Sequence, residues 1–377
     1  MAETRPKTIG FFTDGPAFDG GALDRHALGG SETALIQMAR ALAGRGHQVT
    51  VLNNCDRPGL FDGVTYLPWR RFPGRITGTW FDVFIVSRYA GFFHLPLAAR
   101  LRVLWNHDTL DRPAALREVL DRIDLHLVLS RFHRDNFLTR LPELQGRLIV
   151  TRNGLDLDLI DRAVRGAAKD PDRVIYASRP ERGLKVLLED LWPRLVEKRP
   201  HLMLQLCRYE VDRAGLAQGV AELTEYLDRL ADGSRNVVRL GALTKEQYYR
   251  RLAGSTLMLY PCTFPEISCL AALEAQACRT PVLTTDGFAL AETVKEPEFK
   301  VPGRPGSGPY REEFLHRALV LLDQPRRAAE LAGRAGDKVR AEHAWMVIAA
   351  EWDRLFDLTL ASKKAASAAR PGGGGGR

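Results

Sequence analysis

Residues 259–286 read LYPCTFPEISCLAALEAQACRTPVLTTD. The apolar run 257–260 leads into a Pro-bearing loop, Pro261 to Pro265. Glu266 follows, then a helix expected over 268–278 and a second apolar run at 282–284. Strand, loop, helix N-terminus and strand is the layout in which α/β proteins bind phosphates. The free N–H groups of the first helical turn and the positive end of the helix dipole both face the ligand. Ser268 is the expected N-cap. Glu266 and Glu274 are eight residues apart, one just outside the helix start and the other about a turn and a half inside it. Two carboxylates so placed can hold hydroxyls on either side of a diphosphate, as in a sugar nucleotide. Glutamates eight apart are also common on solvated helix faces, so the spacing alone leaves both readings open.

The same alternation runs through the chain. In the first half, apolar runs at 9–13, 49–53, 64–67, 81–87, 102–106, 125–130 and 148–152 are separated by helical stretches or loops. In the second half the runs are 173–177, 202–207, 237–240, 256–260 and 281–285. Near-continuous apolar strands alternating with helices predict parallel, doubly wound sheets, here two Rossmann-like halves facing a central cleft. Ligands of such sheets lie beyond the carboxyl ends of the strands. The expected division is residues 1–160 and 161–342 for the two halves, 343–361 for a closing helix and 362–377 for a disordered tail. The closing helix carries Trp345, Ile348, Trp352, Leu355 and Phe356 at helical spacing, a stripe that needs a partner surface. The tail, KKAASAARPGGGGGR with its preceding Ser362, is of low complexity.

Composition bounds the function only loosely. With 377 residues, 45% hydrophobic and 27% charged, the chain fits a soluble two-domain protein. No apolar run reaches the roughly 18 residues needed to span a bilayer. The opening MAETRPKTIGFFTDG has too few apolar residues before Asp14 for a secretory leader. Five cysteines without a C-x-x-C pair argue for reduced thiols in a cytoplasm and against zinc. The net charge of +8 comes from scattered arginine, without the interleaved aromatics of a nucleic-acid binder. A solvated basic surface explains it, and peripheral contact with the anionic inner face of a membrane fits as well.

Further polar groups fall at strand ends. Gly29-Gly30-Ser31-Glu32 opens the first helix after a long Gly-rich loop, 14–30, with Ser31 the expected cap. The glycines let backbone approach a ligand, although a flexible loop accounts for them equally. His107 follows a buried strand and reaches either the cleft or its neighbour Asp108. Arg179, Arg182-Gly183 and Lys185 cluster where a strand gives way to a helix, as forked and point-charge donors for a diphosphate or as a solvated loop.

Together these motifs resemble the retaining GT-B-fold glycosyltransferases of the family-4 type, over roughly residues 7–360. The resemblance rests on GGSE, the strand-end histidine, NGLD at Asn153, PERGLKVLL, the run VVRLGALTKEQYYRRLAGSTLMLYP, and Glu-x7-Glu as EISCLAALE. It implies a glycosyltransferase of glycan biosynthesis that moves a hexosyl or related group from a nucleotide-diphosphate sugar to an acceptor hydroxyl, with retention and without a metal. It implies His107, Arg182 and Glu266 at the reacting sugar. Gly29, Gly30, Arg179, Lys185, Ser268, Cys269, Leu270 and Glu274 would then bind the donor, with Glu274 on the ribose and the Cys269 and Leu270 N–H groups on the terminal phosphate. Departures from the pattern are Ser268-Cys269 where Phe-Gly is usual, the compressed Arg179…Arg182-Gly183, Cys207-Arg208 in place of a strand-end glycine, and residues 295–312. The acceptor, whether glycan, lipid-linked, protein or small molecule, has no code in the sequence; loops 14–28 and 70–79 would choose it. The rival readings are a sugar-nucleotide epimerase or phosphorylase on the same fold, and a non-catalytic sugar-nucleotide sensor or scaffold.

Overall fold

The computed structural model describes residues 5–25, 28–71, 78–207 and 218–368. Positions 26–27 and 72–77 of the two candidate acceptor loops, Arg208, and the tail from 369 lie outside the described residues.

Each half is built on its own sheet. The first contains β1 (Thr8–Phe12), β2 (Gln48–Asn53), β3 (Gly59–Phe61), β4 (Val64–Pro68), β5 (Phe81–Ser87), β6 (Ala99–Trp105), β7 (Leu125–Val128) and β8 (Leu148–Val150). Their order is β3-β4-β2-β1-β5-β6-β7-β8, parallel throughout except for the β3–β4 hairpin. The second contains β9 (Asp170–Ala177), β10 (Met203–Cys207), β11 (Val237–Arg239), β12 (Ser255–Tyr260), β13 (Val282–Thr285) and β14 (Lys300–Val301), in the order β11-β10-β9-β12-β13-β14. Strand order therefore reverses at β1/β5 and at β9/β12, the two points where a doubly wound sheet opens a crevice at its carboxyl edge. The short β3 and β14 have no counterpart among the apolar runs, because two or three residues carry no period; β14 lies within the atypical segment 295–312.

Strands read as continuous apolar runs because both sheet faces are covered. In β1, Ile9 and Phe11 enter one core and Phe12 the opposite one. Between them Gly10 leaves room for Phe84, whose ring would lie 2.7 Å from a Cβ at that position.

The helices are α1 (Gly30–Ala43), α2 (Pro113–Arg117), α3 (Arg131–Arg140), α4 (Leu157–Val164), α5 (Leu184–Val186), α6 (Trp192–Lys198), α7 (Gln218–Gly233), α8 (Lys245–Gly254), α9 (Leu270–Ala277), α10 (Leu290–Thr293), α11 (Gly308–Asp323), α12 (Pro325–Glu342) and α13 (Trp345–Ala368). A π turn at Leu187–Leu191 joins α5 to α6. Pro193, which has no N–H to donate to the preceding turn, accounts for it.

Both expected N-caps are displaced. The cap of α1 is Gly29, whose carbonyl accepts the Thr33 N–H at 3.0 Å. Ser31 instead donates to Glu32 at 2.9 Å. The cap of α9 is Cys269, and Ser268 turns outward to accept from Asn153 Nδ2 at 3.2 Å.

α13 returns to the first half. Its Trp345, Ile348, Trp352 and Phe356 join the core under α1 and the first sheet. The Trp352 ring meets Trp105 edge-on at 4.8 Å, and its indole N–H donates to Thr151 at 2.7 Å. Trp345 packs on Gly154, where any Cβ would sit 2.4 Å from the ring. The helix runs on to Ala368, past Ser362 where the disordered tail was expected to begin. Alanine and lysine there favour helix once the apolar turns have nucleated it.

Candidate active site

At the β9/β12 crevice, β9 ends at Ala177 and the chain turns through Ser178 to Gly183. Gly183 has φ +134°, and a Cβ on it would lie 2.3 Å from the Pro261 carbonyl oxygen. Glycine therefore lets the β9 loop close on the β12 loop, where Thr263 N donates to the Arg182 carbonyl at 3.2 Å. This contact delivers Arg182 to Glu266: Nη1 donates to Glu266 Oε1 at 3.0 Å, with the guanidinium 4.2 Å over the Phe264 ring. Tyr260, the last residue of β12, donates to the same Oε1 at 2.6 Å, and Ser178 donates to the Tyr260 hydroxyl at 3.2 Å. Glu266 is 4% exposed. Burial works to lower the Arg182 pKa, and the Glu266 carboxylate more than offsets it, so the guanidinium is held above its ordinary range. Burial, and then Glu266, push the Tyr260 hydroxyl up, which keeps it a neutral donor.

Glu274 lies in the second turn of α9 and is 3% exposed. Its Oε1 accepts from Lys245 Nζ at 2.5 Å and from the Tyr249 hydroxyl at 3.0 Å. Both donors stand one turn apart on α8, whose start is fixed by a capping box between Thr244 and Gln247. Gln37, Arg40, Asp156, Lys245, Tyr249 and Glu274 help line a cavity of about 90 Å³ between the halves. A drug-sized ligand needs roughly 300 Å³ or more, so the cavity as it stands is smaller than a small-molecule site.

On the facing half, Gly30 approaches Leu270: a Cβ there would stand 3.3 Å from Leu270 Cδ1. The starts of α1 and α9 thus lie close together. Arg88, at the end of β5, has φ +73°. Its guanidinium grips Asp108 at 2.7 and 3.0 Å and reaches Ser31 at 3.2 Å and Glu32 at 3.7 Å. A non-glycine residue in this conformation at a strand-order reversal is held by its surroundings.

Because Arg88 occupies Asp108, His107 does not bond its neighbour. Its ring lies 4.3 Å from Trp105, and its buried Nε2 has no partner among the described residues. Burial, then Arg88 and His133, depress its pKa well below 6.5, so the imidazole is neutral. His133 supports the same loop, with Nε2 2.8 Å from the Asp108 carbonyl.

The structure thus gathers Arg182 with Glu266, and Ser268, Cys269, Leu270 and Glu274 around the α9 start opposite Gly29 and Gly30. Arg179 lies at the rim, 2.7 Å from Glu181. Lys185 is not brought to the group; it is 57% exposed, beside Glu189 and the Tyr226 ring. Sequence reasoning passed over Tyr260, Tyr249, Lys245 and Arg88. The first three stand inside the run VVRLGALTKEQYYRRLAGSTLMLYP, where they read as strand or helix filler; Arg88 has no local signal.

Residues 171–322 match the family model described as glycosyl transferases group 1. The matched stretch runs from β9 into α11 and includes Glu266 and Glu274. No curated protein sequence matches the chain. Among solved structures, the sucrose-phosphate synthase of Thermosynechococcus elongatus aligns with a TM-score of 0.72 at 17% identity, over 95% of this chain and 100% of that one. HepE of Anabaena, in complex with UDP-glucose, gives 0.69 at 18% over 94% and 100%. The catalytic domain of starch synthase IV from Arabidopsis thaliana, bound to ADP and acarbose, gives 0.68 at 12% over 95% and 100%. At these identities the likeness establishes the GT-B fold. Among the described residues no helix is long and apolar enough to cross a membrane.

Proposed function

We propose that the protein is a retaining, metal-independent glycosyltransferase that moves a hexosyl or related group from a nucleotide-diphosphate sugar to an acceptor hydroxyl. The observation that carries this reading is the pair of buried carboxylates astride the α9 N-terminus, each already bonded to a cation. Glu274 takes the ribose and Glu266 the sugar hydroxyls nearest the reacting carbon. The N–H groups at Cys269 and Leu270 take the terminal phosphate. As the bond to the leaving diphosphate lengthens, its oxygens gain charge. The α9 dipole and Arg182, whose buried Nε has no partner among the described residues, stabilise that charge. The acceptor enters on the same face as the departing phosphate, which takes its proton. Neutral His107 lines this side. HepE was solved with UDP-glucose and starch synthase IV with ADP, so the fold is compatible with more than one base.

The test is a panel of UDP-, GDP-, ADP- and TDP-sugars with and without EDTA, following release of nucleoside diphosphate. EDTA-resistant release from one donor, lost in Glu266→Ala, supports the proposal and names the donor. Binding of one donor without release in the presence of candidate acceptors favours a sensor. Neither binding nor release overturns the reading.

A further inference from the structure

The two carboxylates are held in the same way. Glu266 Oε1 accepts from a tyrosine hydroxyl, Tyr260, and from a cation, Arg182. Glu274 Oε1 accepts from a tyrosine hydroxyl, Tyr249, and from a cation, Lys245. No described residue donates a hydrogen bond to Oε2 of either. In each case one oxygen is saturated by protein and the other is left to accept from a ligand.

The two kinds of donor are not equivalent. Lys245 carries its charge on a flexible four-carbon stem, and Arg182 has donors beyond the one it gives Glu266. An incoming diphosphate attracts both. A tyrosine hydroxyl on a rigid ring within the core cannot follow a ligand. Tyr260 and Tyr249 are both buried. The Tyr260 ring is wedged edge-on against Tyr176 at 5.8 Å, and its oxygen accepts from Ser178, so its own proton is directed at Glu266. Tyr249 is fixed by α8, one turn from Lys245.

We propose that Tyr260 and Tyr249 are positioning residues: each pins one oxygen of its glutamate, so that Oε2 stays aimed at donor hydroxyls when the cations turn to the phosphates. The proposal rests on the glycosyltransferase reading and assigns a separate part of the donor to each tyrosine. Tyr249 serves the nucleoside through Glu274, and Tyr260 serves the sugar through Glu266.

The experiment is calorimetry on the full chain with paired probes: UDP and UDP-glucose, GDP and GDP-mannose, ADP and ADP-glucose. The wild type is compared with Tyr249→Phe, Tyr260→Phe and Ser178→Ala. A hydrogen bond to a charged group sets the scale of the loss. Tyr249→Phe is expected to weaken the diphosphate and its sugar nucleotide alike, by about tenfold. Tyr260→Phe is expected to leave the diphosphate within about twofold and to remove about tenfold from the sugar nucleotide alone. Ser178→Ala should repeat the Tyr260 pattern more weakly, with one buried hydroxyl fewer and the tyrosine intact. A purely structural role lowers melting temperature without this division between probes. If the wild type binds a pair and the variants match it, or weaken both probes together at Tyr260, the positioning role is overturned and the glycosyltransferase reading stands. If the wild type binds no probe, both fall.

Discussion

Glu292 Oε1, in the second half, accepts the backbone N–H of Phe132, in the first half, at 2.9 Å. Glu292 Oε2 takes the Arg131 N–H at 3.1 Å and its Nε at 3.2 Å. Ser130 caps the same helix, α3, from its own half by accepting from His133 N at 3.0 Å. The free N–H groups at the start of α3 are thus shared between a local cap and a carboxylate from across the cleft. Phe288, at φ +54°, adds an edge-on contact with Phe132 at 5.5 Å.

This contact predicts how tightly the unliganded halves close. Glu292→Ala removes a charged cap worth about 0.5–2 kcal/mol. The expected outcome is a larger radius of gyration in small-angle scattering without ligand, with secondary structure unchanged. An unaltered radius would mean that α13 and the linker alone fix the arrangement.

Arg182→Ala should lower kcat by about two orders of magnitude, the scale of one lost transition-state charge stabiliser. Steady-state kinetics on the donor found by the panel checks it. A rise in KM alone would assign Arg182 to uniform binding. Arg182→Lys keeps a charge on Glu266 but loses the fork, so it should restore melting temperature more fully than kcat.

Gly183→Ala should destabilise the second half, since it forces a side chain into a positive φ and against the Pro261 carbonyl. The expected loss is roughly 1–3 kcal/mol, read as a lower denaturation midpoint at unchanged slope. A midpoint equal to wild type would mean that the two loops part without cost.

Buried histidines set the acid limit. Burial holds His126, His133 and His343 at about 4, and with Arg88 and His133 it depresses His107 well below 6.5. Below pH 6.5 the unfolded imidazoles take up protons that the folded ones refuse. Stability is therefore undiminished by them above 6.5 and is lost as pH falls toward 4. The slope is about 1.4 kcal/mol per pH unit for each histidine. Denaturant melts at pH 7.0, 6.0 and 5.0 check this, and a flat profile would mean that these rings are charged or solvated in the fold.

Removing metal should change nothing. Turnover after EDTA treatment is expected to match the untreated enzyme and not to rise on adding magnesium or manganese. A loss restored by either ion would move the stabilisation of the leaving group from Arg182 and α9 to a cation.

The alternation of apolar runs with helices determined the two parallel sheets, because strands covered on both faces must be apolar along their length. The nearness of Glu266 and Glu274 to one helix start was legible for a related reason. A loop and a helix start fix their neighbours within a few residues, so spacing along the chain becomes spacing in the fold. Caps were less legible: Ser31 and Ser268 have the right chemistry, but Glu32 with Arg88, and Asn153, bid for their hydroxyls from elsewhere. Only tertiary structure decided that Tyr260 and Tyr249 donate to the two glutamates, that Arg88 pairs with Asp108 beside His107, and that Glu292 caps a helix 160 residues upstream of it. Each of these depends on which loops the strand order sets side by side. A pattern along the chain records what a residue buries, and it does not record which distant atom the fold brings to meet it.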